Sequence, residues 1–130
     1  MVDADKTKPA SLPPPKKGLA RLMAATGYSA DGLRAALKNE EAVRLEFAAF
    51  AVLAPLGLWL GETTVEKVLL VACLVLVLLV ELLNTAIEAV VDRIGPDYHE
   101  LSKKAKDTGS AAVLISLCLV VFTWGMLLLS

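Results

Sequence analysis

The residues from 111 to 129 form an apolar run without a charged side chain. About 20 apolar residues are what an α-helix needs to cross the hydrocarbon core of a bilayer. Inside lipid, every backbone N–H and C=O group must find its partner within the protein, so a crossing segment of this kind has to be helical. The run therefore predicts a transmembrane helix and limits the chain to folds that suit a membrane.

Two earlier segments have a similar character. Residues 68–91 are long enough to cross, although polar side chains lie in their second half. Residues 43–60 are shorter, because their uninterrupted part begins at Phe47, and they can cross if Arg44 and Glu46 lie at the headgroup boundary. Apolar residues make up 56% of the chain, which is typical of a protein surrounded by lipid. We expect an all-α membrane protein with three transmembrane helices, at about 43–60, 68–91 and 111–129.

The N-terminal part has a different composition. Residues 1–17 contain several prolines and scattered charges, and are expected to form a disordered tail outside the membrane domain of residues 18–130. Apolar residues recur at helical spacing over residues 18–42, which predicts an amphipathic helix in the membrane interface. Gly27 and Gly32 interrupt that pattern, and Ser29 is a candidate N-cap for a second helical piece.

The basic residues are distributed unevenly along the chain. Eight precede the uninterrupted part of the first span, one lies in residues 61–67, and four lie in residues 92–110. Lys and Arg accumulate in the cytoplasmic segments of membrane proteins. We therefore expect the N-terminus and the loop 92–110 in the cytoplasm, where ATP is available, and the C-terminus outside. The net charge of −1 gives no indication of nucleic-acid binding.

Polar side chains recur within the second span. Glu81, Asn84, Glu88 and Asp92 follow one another at offsets that place all four on one helical stripe about 80° wide. Acids inside a membrane helix are costly and are usually functional, although the last two could simply mark the helix end. A buried carboxylate at Glu81 is suited to accept a proton from an alcohol.

Two further polar segments are open to either a structural or a functional interpretation. The loop 92–110 mixes acids, bases and the only histidine, but it could be an ordinary solvated loop. The acids at positions 40 and 41 could likewise be a solvated helix end. The sequence contains no Walker A, GxGxxG or HExxH motif. Cys73 and Cys118 lie in apolar runs, which indicates small buried side chains and no disulfide framework.

Longer strings in the same region are more specific. Residues 81–95, 98–102 and 105–112 read ELLNTAIEAVVDRIG, YHELS and AKDTGSAA. Together with ATGYS at 25–29 and GLRAA at 32–36, they closely resemble the bacterial integral-membrane diacylglycerol kinases over about residues 20–128. The resemblance implies a homotrimer in the bacterial inner membrane, with ATP and Mg²⁺ as co-substrate and cofactor. It implies phosphorylation of diacylglycerol to phosphatidic acid at the cytoplasmic face.

The resemblance also implies roles for individual residues. Glu81 matches the general base that takes the proton from the lipid hydroxyl, and Asn84 lies beside it. Glu40 and Glu88 match the carboxylates that hold Mg²⁺ at the ATP phosphates. The other positions that match nucleotide contacts are Tyr28, Asp97, Tyr98, His99, Lys106 and Asp107. Positions that match lipid contacts are Arg34, Ser110 and Trp124, while Arg21 falls where ATP or the lipid is bound. Ala24 and Asp31 stand where the family has basic residues.

Two alternative functions remain at this stage. One is undecaprenol kinase, a relative that phosphorylates a polyprenol, although the strings DRIG at 92–95 and HELS at 99–102 look more like the diacylglycerol branch. The other is an oligomeric ion pathway lined by the acidic stripe. Residues 68–80 are entirely apolar, so the stripe ends midway along the helix. That pattern favours a site that opens to one side of the membrane over a pathway through it.

Overall fold

The computed structural model describes residues 11–130. Within that range the chain is helical and has no strand. The helices are α1 (Gly18–Asn39), α2 (Glu41–Leu60), α3 (Thr64–Ile94) and α4 (Glu100–Leu128). The last three are long and apolar enough to cross a membrane. The predicted all-α class with three transmembrane helices is therefore confirmed. The first ten residues of the predicted tail lie outside the described residues, and residues 11–17 have no regular secondary structure.

The described residues divide into two compact units, residues 11–33 and residues 34–130. In the first unit α1 runs through Gly27 and Gly32 without a break, so the expected division into two helical pieces is wrong. Ser29 does not cap a new helix, because its hydroxyl donates a hydrogen bond of 2.8 Å to the carbonyl of Ala25 one turn earlier. A glycine costs a helix only about 1 kcal/mol relative to alanine, which does not end it.

The second unit contains helices that extend beyond their apolar runs. α3 begins earlier than expected, at a capping box in which Glu66 N–H donates to Thr63 Oγ1 and Thr63 N–H donates to Glu66 Oε2. The expected loop 92–110 is also mostly helical, since only residues 95–99 separate α3 from α4. His99 starts α4 by accepting a hydrogen bond at Nδ1 from the N–H of Leu101. The residues after it are good helix formers, so the helix begins well before the apolar run.

α3 is the central helix of the second unit, because it packs against both α2 and α4. Ala54, Cys73 and Leu74 form a buried cluster, to which larger side chains of all three helices add: Phe50, Leu53, Val71, Val120 and Trp124. Small residues let the backbones approach. A side chain at Gly57 would lie 3.2 Å from the Cβ of Leu70 and 3.3 Å from the ring of Trp124.

A side-chain hydrogen bond ties α4 to α3 at this level. The indole N–H of Trp124 donates to the carbonyl of Leu70 over 3.1 Å, and the side chain of Leu70 is fully buried. Polar contacts between helices in a membrane contribute because no water competes for the donor. The bond therefore helps to fix the position of α4 against α3.

We expect Trp124→Phe to lower the free energy of unfolding in detergent by about 1 kcal/mol or more, because the smaller phenyl ring lacks the N–H that donates to Leu70 and fills less of the contact at Gly57. Trp59→Phe is the matched control, since the side chain of Trp59 is 78% exposed and should tolerate the change. The measurement is an unfolding titration of each variant. Equal stability of the two variants would contradict a structural role for the indole N–H.

Candidate functional site

The acidic stripe of α3 changes from buried to exposed along its length. Glu81 is 7% exposed and Asn84 is 8% exposed, whereas Glu88 is half-buried and Asp92 is exposed. On the other side of Glu81, the buried residues of α3 are apolar: Leu70, Cys73, Leu74 and Val77. The polar stripe is therefore buried at Glu81 and becomes exposed toward the end of α3, as expected for a site that is accessible from one side.

Asn84 connects the members of this stripe to α4. Its Nδ2 atom donates a hydrogen bond of 3.3 Å to Glu88 Oε1, one turn further along α3. Its Oδ1 atom is buried and has no hydrogen-bond partner among the described residues. That oxygen lies against Gly109 of α4, which is also buried. The amide of Asn84 is thus held between a carboxylate on its own helix and the backbone of the next.

Glu40 is a further carboxylate that approaches the stripe. It is the one non-helical residue between α1 and α2, and it interacts electrostatically with Glu81, as Glu88 of the stripe also does. Arg44 fixes the turn at Glu40, because its guanidinium donates hydrogen bonds of 3.0 and 2.9 Å to the carbonyls of the last turn of α1, at Leu37 and Lys38. The structure therefore brings together three of the acids that the sequence analysis singled out.

Glu46 is a member of this cluster that sequence reasoning missed. It was considered only as a residue at the headgroup boundary, but it interacts electrostatically with Glu81. Its Oε2 atom is buried and has no hydrogen-bond partner within residues 11–130. Helical spacing puts Glu46 on one face of α2 with Val43 and Phe50, but only the burial of those two residues shows that this face is turned inward. It therefore belongs to the inward face of α2.

A cleft of about 400 Å³ lies where α3 ends and α4 begins. Its size is within the range of small-ligand pockets. Lys106 Nζ forms an ion pair of 2.6 Å with Asp92 Oδ1 across the two helices, and Lys103 pairs with Asp107 along α4. The predicted nucleotide-contacting residues that line the cleft are Asp97, Tyr98, His99, Lys106 and Asp107. Asp92 also lines it, and it follows Glu88 by one helical turn, about 6 Å.

The remaining predicted residues lie elsewhere. Ser110 is exposed next to Gly109, and Arg34 is exposed near the end of α1. Trp124 lies about 22 Å further along α4 than Gly109, in the contact with Leu70 described above. Arg21 and Tyr28 belong to the first unit, where both are exposed. The structure thus groups the predicted metal and base residues around Glu81 of α3, and separately the predicted loop residues where α3 ends and α4 begins.

The carboxylate cluster is a suitable donor set for a hard cation. Mg²⁺ keeps several waters and typically takes one or two protein carboxylates together with substrate phosphates. Glu40 and Glu88 supply two such carboxylates from different elements, and both interact with Glu81. Within residues 11–130 no three acidic, histidine or cysteine side chains converge closely enough to hold a metal by themselves. The donor set therefore fits an ion that is completed by phosphate and water.

The chain is similar over most of its length to known proteins. Residues 27–128 match the family model of the prokaryotic diacylglycerol kinases. The chain is 52% identical over 113 residues to a diacylglycerol kinase of Escherichia coli (strain K12), covering 87% of this chain and 93% of that one. It is 50% identical over 111 residues to that of Haemophilus influenzae, covering 85% and 94%. For Pseudomonas aeruginosa the identity is 46% over 112 residues, covering 86% and 91%.

The matched region includes α2, α3 and α4 entirely, and with them the acidic stripe and the cleft. The family resemblance predicted from the sequence strings is therefore confirmed. The chain belongs to the prokaryotic diacylglycerol kinase family, a family of lipid kinases.

Proposed function

We propose that the protein transfers the γ-phosphoryl group of ATP to the hydroxyl of diacylglycerol and forms phosphatidic acid. The observation that carries the proposal is the buried carboxylate cluster around Glu81, which opens along α3 toward a polar cleft, in a chain of this family. The names of the relatives favour diacylglycerol over undecaprenol as the alcohol. The apolar inner face of α3 beyond Glu81 argues against an ion pathway.

Phosphoryl transfer needs a positioned nucleophile and stabilisation of charge on the transferring group. We assign Glu81 as the general base that accepts the proton of the lipid hydroxyl, since it is the innermost acid of the stripe. Asn84 holds Glu88 through its amide N–H. Lys106 lies in the cleft beside Asp92 and supplies the cation that contacts the phosphates. We also propose nucleotide contacts for the following residues: Arg21, Tyr28, Asp97, Tyr98, His99 and Asp107.

Glu40 and Glu88 would hold Mg²⁺ in this proposal. The ion supplies positive charge that neutralises the phosphate oxygens of ATP when it is bound. The protein's part is to keep both carboxylates facing the same space, which the turn at Glu40 and the hydrogen bond from Asn84 achieve. The lipid would approach from the side of Arg34 and Ser110, and Trp124 would contact it further along α4.

We propose the bacterial inner membrane as the location and a homotrimer as the active form. Large apolar side chains are exposed on all three long helices, for example Leu58, Leu79 and Ile115, and lipid or neighbouring subunits would cover them. Three helices are also too few to enclose ATP and a lipid together. The distribution of the basic residues supports a cytoplasmic N-terminus and a cytoplasmic cleft in this proposal.

A reporter that is active only outside the cytoplasm should be active when fused after Ser130, because an odd number of spans follows a cytoplasmic N-terminus. The same reporter inserted after Asp97, in the link between α3 and α4, is the control and should be inactive. Activity at Asp97 with none at Ser130 would reverse the topology and move the cleft away from ATP.

We expect purified protein in detergent to consume ATP only when diacylglycerol is added, with phosphatidic acid as the product. Undecaprenol offered at the same mole fraction should give at most about a tenth of the kcat/KM, because recognition of the wrong alcohol loses about 1.4 kcal/mol or more. The measurement is ATP turnover coupled to identification of the lipid product. Faster turnover with undecaprenol would make the alternative kinase the correct function.

Glu81→Gln and Glu88→Gln should impair different steps, turnover in the first and binding of Mg²⁺ and ATP in the second. Glu81→Gln should retain ATP affinity and lower kcat by a factor of about 10² to 10⁴, which is the usual contribution of a general base. Glu88→Gln should raise the Mg²⁺ and ATP concentrations needed for half-maximal turnover, because a neutral amide is a poor ligand for a hard cation. ATP affinity, kcat and thermal stability in detergent are measured for both.

Glu62→Gln is the matched control, since Glu62 is exposed between α2 and α3 and should leave all three quantities unchanged. If Glu81→Gln kept more than about a tenth of the kcat, the base assignment would be wrong. If both variants lost stability without separating binding from turnover, the acids would serve only to hold the helices together.

In a trimer with sites shared between neighbours, assemblies that contain both Glu81→Ala and Glu88→Ala subunits should recover some activity.

A further inference from the structure

Gly109 lies at an unusually close approach between α3 and α4. A Cβ atom built on Gly109 would overlap the Oδ1 atom of Asn84 and would lie 3.4 Å from its Cγ and 3.9 Å from its Cβ. Gly125, on the same helix, would meet nothing within 4 Å. The oxygen of Asn84 therefore occupies the space that any side chain at position 109 would need, and this tight fit distinguishes Gly109 from the other glycine of α4.

The amide of Asn84 has little freedom to give way. Its Nδ2 atom is committed to Glu88 Oε1, and its Oδ1 atom is buried without a hydrogen-bond partner among the described residues. The residue as a whole is 8% exposed. A buried amide oxygen in that state is held by packing alone, and here the packing surface is the bare backbone of Gly109. A methyl group at position 109 must rotate the amide or separate the two helices.

Either response would change the carboxylates on both sides of Asn84. Rotation of the amide breaks the hydrogen bond to Glu88, which fixes one carboxylate of the cluster. Separation of α4 opens the buried end of the stripe, where Glu81 is only 7% exposed. Catalytic groups lose about 10²-fold in rate when they are misplaced by about 1 Å.

We propose that Gly109 is a positioning residue for the phosphoryl transfer: its lack of a side chain makes the α4 backbone the wall that holds the Asn84 amide, and through it Glu88, in place. The inference rests on the proposed kinase function. Gly109 itself contacts neither ATP nor lipid in this account. Its effect passes through Asn84, so it should disappear when Asn84 is absent.

The test is a double-mutant cycle with Gly109→Ala and Asn84→Ala. Gly109→Ala should lower kcat by about 10²-fold and raise the Mg²⁺ concentration for half-maximal turnover, while the KM for diacylglycerol stays within about twofold. Adding Gly109→Ala to Asn84→Ala should cost less than about twofold more, because coupled residues are not additive. Gly125→Ala is the matched control on the same helix and should behave as the unaltered protein.

Each result decides between positioning and simple packing. A wild-type kcat in folded Gly109→Ala, or losses that multiply independently in the double variant, would overturn the proposal. If Gly109→Ala alone does not fold, the double variant, in which the methyl has room, is compared with Asn84→Ala. Equal kcat supports the proposal, and a further tenfold loss rejects it. A lack of diacylglycerol-dependent turnover in the unaltered protein would instead overturn the kinase function and leave the contact between Asn84 and Gly109 intact.

Discussion

Polar side chains inside a membrane-crossing helix have to find their partners in the protein, because lipid offers none. α3 carries Glu81 and Asn84 directly after a long apolar run, and both are buried. Within residues 11–130 the requirement is met only in part, since Asn84 donates to Glu88, while Asn84 Oδ1 and Glu46 Oε2 have no hydrogen-bond partner. α2 brings Glu46 to the same place, and α4 contributes the bare backbone of Gly109, against which the amide of Asn84 lies. The three long helices therefore meet at these polar groups as well as at the apolar cluster around Cys73 and Leu74.

The same helix connects two chemically different regions. Near its middle α3 supplies buried carboxylates, and near its end it supplies the exposed Asp92, which pairs with Lys106 of α4. The polar start of α4 is helical, so the cleft residues are held on a rigid element and on a link of only five residues, 95–99. A continuous helix fixes the spacing between the acids and the cleft, since each residue advances it by about 1.5 Å.

The sequence by itself determined the fold class, the number of crossing helices and the family. Uninterrupted apolar runs can only be helices in lipid, and the offsets of Glu81, Asn84 and Glu88 put them on one face before any contact is known. Local signals were less decisive. Gly27 and Gly32 do not break α1, because the propensity of a single residue is weak compared with the continuation of a helix. The polar residues after His99 are helical, since most of residues 100–106 are good helix formers.

Only the tertiary structure decided which side chains from different helices meet. Sequence spacing relates residues along one helix, but it holds no information on the rotation of a neighbouring helix. For that reason Glu46 looked like a boundary residue, and Gly109 looked like one more small residue in a string. The packing of α2 and α4 on α3 turned the first into a neighbour of Glu81 and the second into the surface on which Asn84 rests.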